Sequence, residues 1–355
     1  MANAGVKGIA RIRWLTYLMF LMFAMTSESV GVIIPSVIRE FGLGMTAGGA
    51  FHYATMSGIA LGGVLLGSLA DRIGRKRTII TGLAIFGATA FLFAWVASFG
   101  LFLLLLFVGG VAVGIFKTGA LALIGDISTS TRMHTATMNM VEGFFGIGAI
   151  VGPAIVAYLL SHDASWKWLY VIAAILCTLL IILASKVPYP RSRDTAEPAR
   201  ASDVWGMMGN RYALAFSLGV MLYVGVETAI YVWMPTLLAG YSGRGSQWAV
   251  YALSIFFVLR VFGRFAGFWL LERYSWTAVL AFCGIAILLC FGLTVLGREF
   301  AVWALPMSGL FMSVIYPTLN SKGISCFPKS QHGAVSGVLL FFTCVSAVIA
   351  PLAMG

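Results

Sequence analysis

The chain has 355 residues, of which 60% are hydrophobic and 10% charged, with a mean hydropathy of +0.97. Soluble domains carry about 25% charged residues, so a water-soluble globular domain is excluded and a multi-pass membrane protein is expected. The net charge of +11 would suit a nucleic-acid partner, but the basic residues cluster in turns between apolar runs, which makes them a topology signal and leaves no nucleic-acid partner expected.

The apolar runs recur at the length of about 20 residues that crosses a hydrocarbon core of ~30 Å. They predict eleven helices, at about residues 14–38, 46–70, 78–98, 101–126, 135–160, 166–187, 210–239, 246–272, 276–297, 300–325 and 332–354. The first run is long, continues into further runs and lacks a small-residue cleavage site, so it reads as a membrane helix and not as a removable signal. With the N-terminus in the cytoplasm, the inner turns carry Lys7, Arg11, Arg13, Arg72, Arg75, Lys76, Arg77, Arg132 and Lys186, while the outer ones carry only Arg39, Lys167, Arg244 and Arg298. That asymmetry sets the orientation and favours a bacterial inner membrane.

Taken in order, helix 1 carries Glu28 before Pro35. The turn after helix 2 reads Gly67-Ser-Leu-Ala-Asp71-Arg72-Ile-Gly74-Arg75-Lys76-Arg77. Helix 4 places Gly110, Gly114 and Lys117 on one face and ends at Asp126. Helix 5 holds Asn139, Glu142 and the run Gly148-Ala-Ile-Val-Gly152-Pro153. A polar, proline-rich linker at 188–209 separates an N-terminal six-helix half, 1–187, from a C-terminal half, 210–355. Helix 7 carries Glu227, Tyr231, Trp233 and Pro235, and helix 8 carries Arg260, Gly263-Arg264 and Glu272-Arg273. Helix 10 repeats the helix-4 spacing with Gly309, Ser313 and Tyr316, followed by Asn320, and helix 11 ends near Ala350-Pro351. The two sides of the linker therefore repeat: Glu28 and Glu227 each precede a proline by two turns, and the glycine patterns of helices 4 and 10 match. On that count a twelfth helix is missing, as expected of a fragment or a truncation.

Charges inside hydrocarbon cost about 2.5–3.5 kcal/mol each on insertion scales, so they persist where they pair or line a watered path. Glu28, Glu227, Glu142, Lys117 and Arg260 are the candidates for proton coupling and substrate binding. A carboxyl group in a low-dielectric site can be charged in one facing state and neutral in the other, which is what coupling to protons needs. The plainer alternative for Glu28 and Glu227 is a permanent ion pair with Lys117 or Arg260. Lys117 either neutralises such a glutamate or receives an anionic solute. Asn139, Tyr231, Trp233, Tyr316 and Asn320 supply the amide, hydroxyl and aromatic groups that hold a sugar-like ligand. No phosphate-binding loop, no metal-ligand spacing and no catalytic constellation appears, so no enzyme activity, cofactor or metal is expected. The five cysteines all lie in or at the ends of apolar runs and read as small hydrophobes.

The turn at 67–77 resembles the signature between the second and third helices of the major facilitator superfamily. That resemblance implies an all-α membrane protein of two parallel six-helix halves. It also implies that Gly67, Asp71, Arg72, Gly74, Arg75, Asp126 and Arg264 form a gating element on the inner side, with Arg75 pairing Asp126 and Asp71 meeting the start of helix 11. Three stretches are similar to the fucose–galactose–glucose proton symporter group: Gly143-Phe-Phe-Gly146-Ile-Gly148-Ala, Tyr223-Val-Gly-Val-Glu227 and Gly309 through Pro317. The chain departs from that group in carrying Glu28 after Thr26-Ser27, and in carrying Lys117 where a neutral or acidic residue is usual. The function implied is a secondary active transporter of a small polar solute, of sugar type, with protons and the bilayer as further partners, acting as a monomer. The alternatives are a proton-driven exporter of drugs or organic anions, which shares the Gly-x-x-x-Gly-Pro pattern, and a non-transporting sensor on the same scaffold.

Overall fold

A computed structural model describes residues 2–65, 73–128, 131–189, 206–327 and 332–354. Gly67, Asp71 and Arg72 lie outside these residues, so their expected gating contacts are not part of the structure described. The described residues are nearly all helical, and eight of the helical stretches are long and apolar enough to cross a membrane. The chain divides into two compact units, residues 1–43 with 50–194 and residues 44–49 with 195–355.

The first unit is built from α1 (Ala2–Ser27), α2 (Val30–Phe41), α3 (Met45–Leu65) from residue 50 onward, α4 (Arg75–Leu92), α5 (Phe99–Ile127), α6 (Thr131–Ser161) and α7 (Trp168–Ser185). α1 runs along α6, and α4 packs against both α5 and α7. In a bilayer the lipid is as apolar as the side chains, so helices associate through close backbone approach at small residues. Glycine provides this throughout. A Cβ on Gly58 or Gly62 would strike the backbone of Phe107 or Val111, and one on Gly110 or Gly114 would strike α3. The glycine face of α5 is thus spent on helix packing. Gly148 and Gly152 of α6 do the same against the Leu21 and Met25 carbonyls of α1.

The expected first span is broken at Glu28-Ser29 into α1 and α2. Hydroxyl side chains concentrated there compete for the helical carbonyls: Thr26 Oγ1 donates to Phe23 O at 2.9 Å and Ser29 Oγ to Met25 O at 2.6 Å. α5, whose single hydroxyl residue is Thr118, has no such cluster and stays whole.

The second unit holds α8 (Arg211–Leu237), α9 (Ser246–Ala249), α10 (Ala252–Arg273), α11 (Trp276–Val295), α12 (Arg298–Met312), α13 (Ile315–Ser325) and α14 (His332–Met354). α8 packs along α14, and α12 lies between α10 and α11. The Asn210 side chain caps α8 by accepting from the Tyr212 and Ala213 amides. Pro317 lacks the amide that would bond the Ser313 carbonyl, and the expected tenth span divides there into α12 and α13.

The two units repeat one another in their contacts. The close approaches of Gly110 to Thr55 and of Gly62 to Val111 recur as Gly309 to Phe256 and Gly263 to Leu310. The approach of Gly148 to Leu21 recurs as a hydrogen bond from Ser346 Oγ to the Met221 carbonyl.

Candidate functional site

In the second unit the polar groups gather on α8. Glu227 stands sixteen residues into this helix, or ~24 Å at 1.5 Å per residue. Only 6% of it is exposed. A carboxylate at that depth needs a counter-charge, and the Arg260 guanidinium of α10 supplies it through a direct Nη2–Oε1 contact. Tyr223, one turn earlier on the same face, donates its hydroxyl to the Met312 carbonyl at 2.7 Å and also lies against Glu227. The Tyr316 ring of α13 stands 6.5 Å from that of Tyr223. One turn beyond Glu227, the Tyr231 ring lies 6.3 Å from Phe257. The result is an ion pair bracketed along the helix by aromatic and hydroxyl groups, which can offer hydrogen-bond donors, acceptors and stacking faces to a small polar molecule.

Arg260 is thus paired with Glu227, Tyr316 stands beside Tyr223, and Tyr231 lies one turn further along α8 against Phe257. Trp233 is not part of this group: its indole N–H donates to the Pro351 carbonyl of α14 at 3.2 Å, so it ties helices together. Asn320 is half-buried on α13, beyond Tyr316. Tyr223 belongs to the cluster and was missed by the sequence reading, although its position four residues before Glu227 on a helix is signal enough.

In the first unit Glu28 lies at the α1–α2 break, half-buried, and accepts from the Ser27 hydroxyl at 3.2 Å. Lys117 is half-buried and holds its ammonium 5.4 Å from the centre of the Phe145 ring on α6. Neither Glu28 nor Glu142 comes within ion-pair distance of it. The expected neutralising pair within this unit is therefore replaced by a cation–π contact. Glu142 is exposed, and the Asn139 side chain lies outside the described residues.

The register of the repeat sharpens these positions. Leu21 corresponds to Met221 and Pro35 to Pro235, so Ser27, and not Glu28, occupies the position of Glu227. The two glutamates are offset by one residue and are not strict counterparts, contrary to the sequence expectation. Thr55 corresponds to Phe256, so Ile59 stands where the second unit has Arg260. Gly110 corresponds to Gly309, so Lys117 stands where the second unit has Tyr316.

At the start of α4, Gly74 adopts φ +88°, a conformation that side chains resist, and this accounts for a glycine at that point of the turn. Arg75 Nε and Asp126 Oδ2 are 2.9 Å apart, both nearly buried, which is the contact expected from the resemblance. Lys76 caps α7, with Nζ 2.8 Å from the Ser185 carbonyl and 2.9 Å from that of Val187.

The chain matches the Major Facilitator Superfamily over residues 16–351. It is 24% identical over 348 residues to the L-fucose-proton symporter of Escherichia coli (strain K12), covering 86% of this chain and 78% of that protein. It is 25% identical over 358 residues to a glucose/galactose transporter of Brucella abortus biovar 1 (strain 9-941), covering 95% of this chain and 85% of that one. The crystal structure of a mutant of the nucleoside transporter NupG superposes with a TM-score of 0.80 at 16% identity, over 96% of this chain and 90% of that one. That of the E. coli fucose:proton symporter superposes with a TM-score of 0.66 at 22% identity, over 95% and 89%. Both share its fold. A chain of apolar helices, repeated in two units and matched over nearly its whole length, belongs to the Major Facilitator Superfamily of membrane transporters.

Proposed function

We propose that this transporter moves a small polar solute of sugar type across a bacterial inner membrane, coupled to protons, by alternating access. Residues 1–187 and 210–355 act as the two halves, joined by a cytoplasmic linker at 188–209. The N-terminus is cytoplasmic and the protein works as a monomer. The observation that carries the reading is the buried Glu227–Arg260 pair bracketed by Tyr223, Tyr316 and Tyr231. Insertion costs disfavour keeping such a polar cluster at membrane depth unless it serves a solute or ion path. Relatives that carry fucose with protons, or glucose and galactose, support the same solute class.

Glu28 takes the coupling role in this reading. It sits where the helix is broken, beside a hydroxyl, and not locked inside a continuous helix. Arg75 with Asp126, and the turn that precedes them, serve as the inner gate of the first half, and Arg264 is a gating residue of the second. The test is transport in proteoliposomes under an imposed pH gradient, using D-galactose and L-fucose. Wild type accumulates sugar when the outside is acid. Glu28→Gln loses that accumulation and retains exchange of labelled for unlabelled sugar. Accumulation that persists unchanged in Glu28→Gln removes this residue from the coupling role.

A further inference from the structure

We propose that a cavity inside the first unit holds water, and that this water joins the Tyr170 hydroxyl to Ser27 and so to Glu28, making Tyr170 part of the proton path. The proposal rests on the coupling role given to Glu28 above and deepens it by naming the route its proton takes.

The cavity lies wholly within the first unit, against the α1–α2 break. Thr26 and Ser27 at the end of α1, Thr55 of α3, Thr89 of α4, Gly109 of α5 and Tyr170 of α7 contribute to its wall. Its volume of about 20 Å³ exceeds the roughly 10–15 Å³ that one water needs. Gly109 keeps the space open, since a Cβ there would stand 3.3 Å from Thr89 Oγ1. Size alone does not wet a cavity, because a buried water also needs several polar partners.

The wall supplies them. Thr26 Oγ1 donates to Phe23 O at 2.9 Å, Thr55 Oγ1 to Phe51 O at 3.0 Å and Thr89 Oγ1 to Phe86 O at 2.8 Å. Ser27 Oγ donates to Glu28 Oε1 at 3.2 Å. Each of these hydroxyls has spent its hydrogen and keeps lone pairs that accept. Tyr170 is the reverse. It is 3% exposed, and its hydroxyl has no hydrogen-bond partner among the described residues. Its ring is stacked on Phe93, with centroids 4.2 Å apart and planes 6° apart, so swinging away to find a partner would break that stack. A buried hydroxyl left unpaired is costly. The site therefore favours a small neutral molecule that accepts from Tyr170 and donates to the spent hydroxyls, and water does both. No Asp, Glu, Lys, Arg or His is among the described residues of the wall, so a bare ion would enter without a counter-charge.

The placement sets the direction. Tyr170 lies in the first turn of α7 and Phe93 just past the end of α4, away from the start of α4 where Arg75 meets Asp126. With that pair at the inner gate, Tyr170 is on the outer side of Glu28. A proton from the outer medium is taken up at the tyrosine end. Each O–H then hands its hydrogen to the next oxygen: Tyr170 to water, water to Ser27, Ser27 to Glu28 Oε1. One proton leaves the outer medium, one carboxylate becomes a carboxyl group, and every hydroxyl ends as it began. The solute takes no part in this transfer.

The test is a structure of the full chain at a resolution that shows ordered water, with Tyr170→Phe and Gly109→Ala studied beside wild type. The expected density is water within hydrogen-bond distance of the Tyr170 hydroxyl and of a hydroxyl oxygen of Thr26, Ser27, Thr55 or Thr89. The melting temperature of Tyr170→Phe has a decisive sign. Where water bridges, the change removes a made bond and lowers it; where the hydroxyl is bare, the change removes an unpaired group and raises it. In proteoliposomes Tyr170→Phe slows pH-driven uptake several-fold more than it slows exchange, a split that general damage to the fold would not produce. Gly109→Ala, which fills the cavity and keeps every hydroxyl, gives the same split. A dry cavity, a raised melting temperature for Tyr170→Phe, or equal effects on uptake and exchange overturns the inference. If wild type shows no pH-driven uptake at all, it is the transport reading that fails, and the density and melting temperature still decide whether the cavity holds water.

Discussion

The Glu227 carboxylate survives in an apolar bundle because Arg260 meets it, and the reverse holds for Arg260. Removing one partner strands the other charge, which for a buried pair costs about 3–5 kcal/mol, while removing both costs much less. Glu227→Gln and Arg260→Gln should therefore each lower the melting temperature more than the double variant does. Additive losses in that cycle, read by thermal unfolding in detergent, would show that the two side chains are not coupled. Depth in the helix was sufficient to single out Glu227 and Arg260 from the sequence. It did not choose between partners for Glu227, since Lys117 and Arg260 both qualified and only packing brings α10 against this face of α8. Tyr223 was missed for the opposite reason: attention went to charged groups, and its hydroxyl matters through a carbonyl on another helix. Trp233 was assigned to the solute because tryptophan often stacks on sugars, but it lies six residues from Glu227 on another face and bonds α14.

At the scale of elements, close approach at glycine decides which helices can meet. Gly148 faces the Leu21 carbonyl so tightly that any Cβ would overlap it, whereas a Cβ on Gly143, five residues earlier on the same helix, would meet nothing within 4 Å. Gly148→Ala should force α1 away from α6 and cost ~1–3 kcal/mol in overpacking. Gly143→Ala should be neutral or slightly stabilising, since alanine favours a helix by up to ~1 kcal/mol over glycine. Equal melting temperatures for the two variants would contradict the packing described. The sequence disclosed the glycine faces of helices 4 and 5, but not whether a ligand or a neighbouring helix would fill them. The breaks in the first and tenth spans were also hidden, because hydropathy averages over a run and does not register a hydroxyl cluster or a single missing amide. The inner-end pair of Arg75 and Asp126 was anticipated through the resemblance of the turn, and its geometry is that of a charge-assisted bond. Asp126→Asn should therefore lower both stability and transport, and Arg75→Lys should only partly preserve them, because a lysine offers a point charge in place of the guanidinium's directed N–H.

For the whole molecule, apolar run length and the repeat across the linker were enough to anticipate two repeated sets of membrane helices, and the resemblance of the turn at 67–77 supplied the superfamily fold. The same repeat misled at one point. Taking both glutamates as two turns before a proline made Glu28 and Glu227 counterparts, but the spacings are seven and eight residues, and the backbone contacts likewise place Ser27 opposite Glu227. A shift of one residue turns a helical side chain by about 100°, so the two units present different groups from equivalent helices: Ile59 against Arg260, Lys117 against Tyr316. The departures from symmetry thus set apart the groups that the two units present. The account as a whole requires that solute and proton cross together. The direct measurement is the pH outside de-energised vesicles when a transported sugar is added with no gradient imposed. The account predicts a transient alkalinisation of the medium in wild type that is absent in Glu28→Gln. Solute entry with no movement of protons would contradict it.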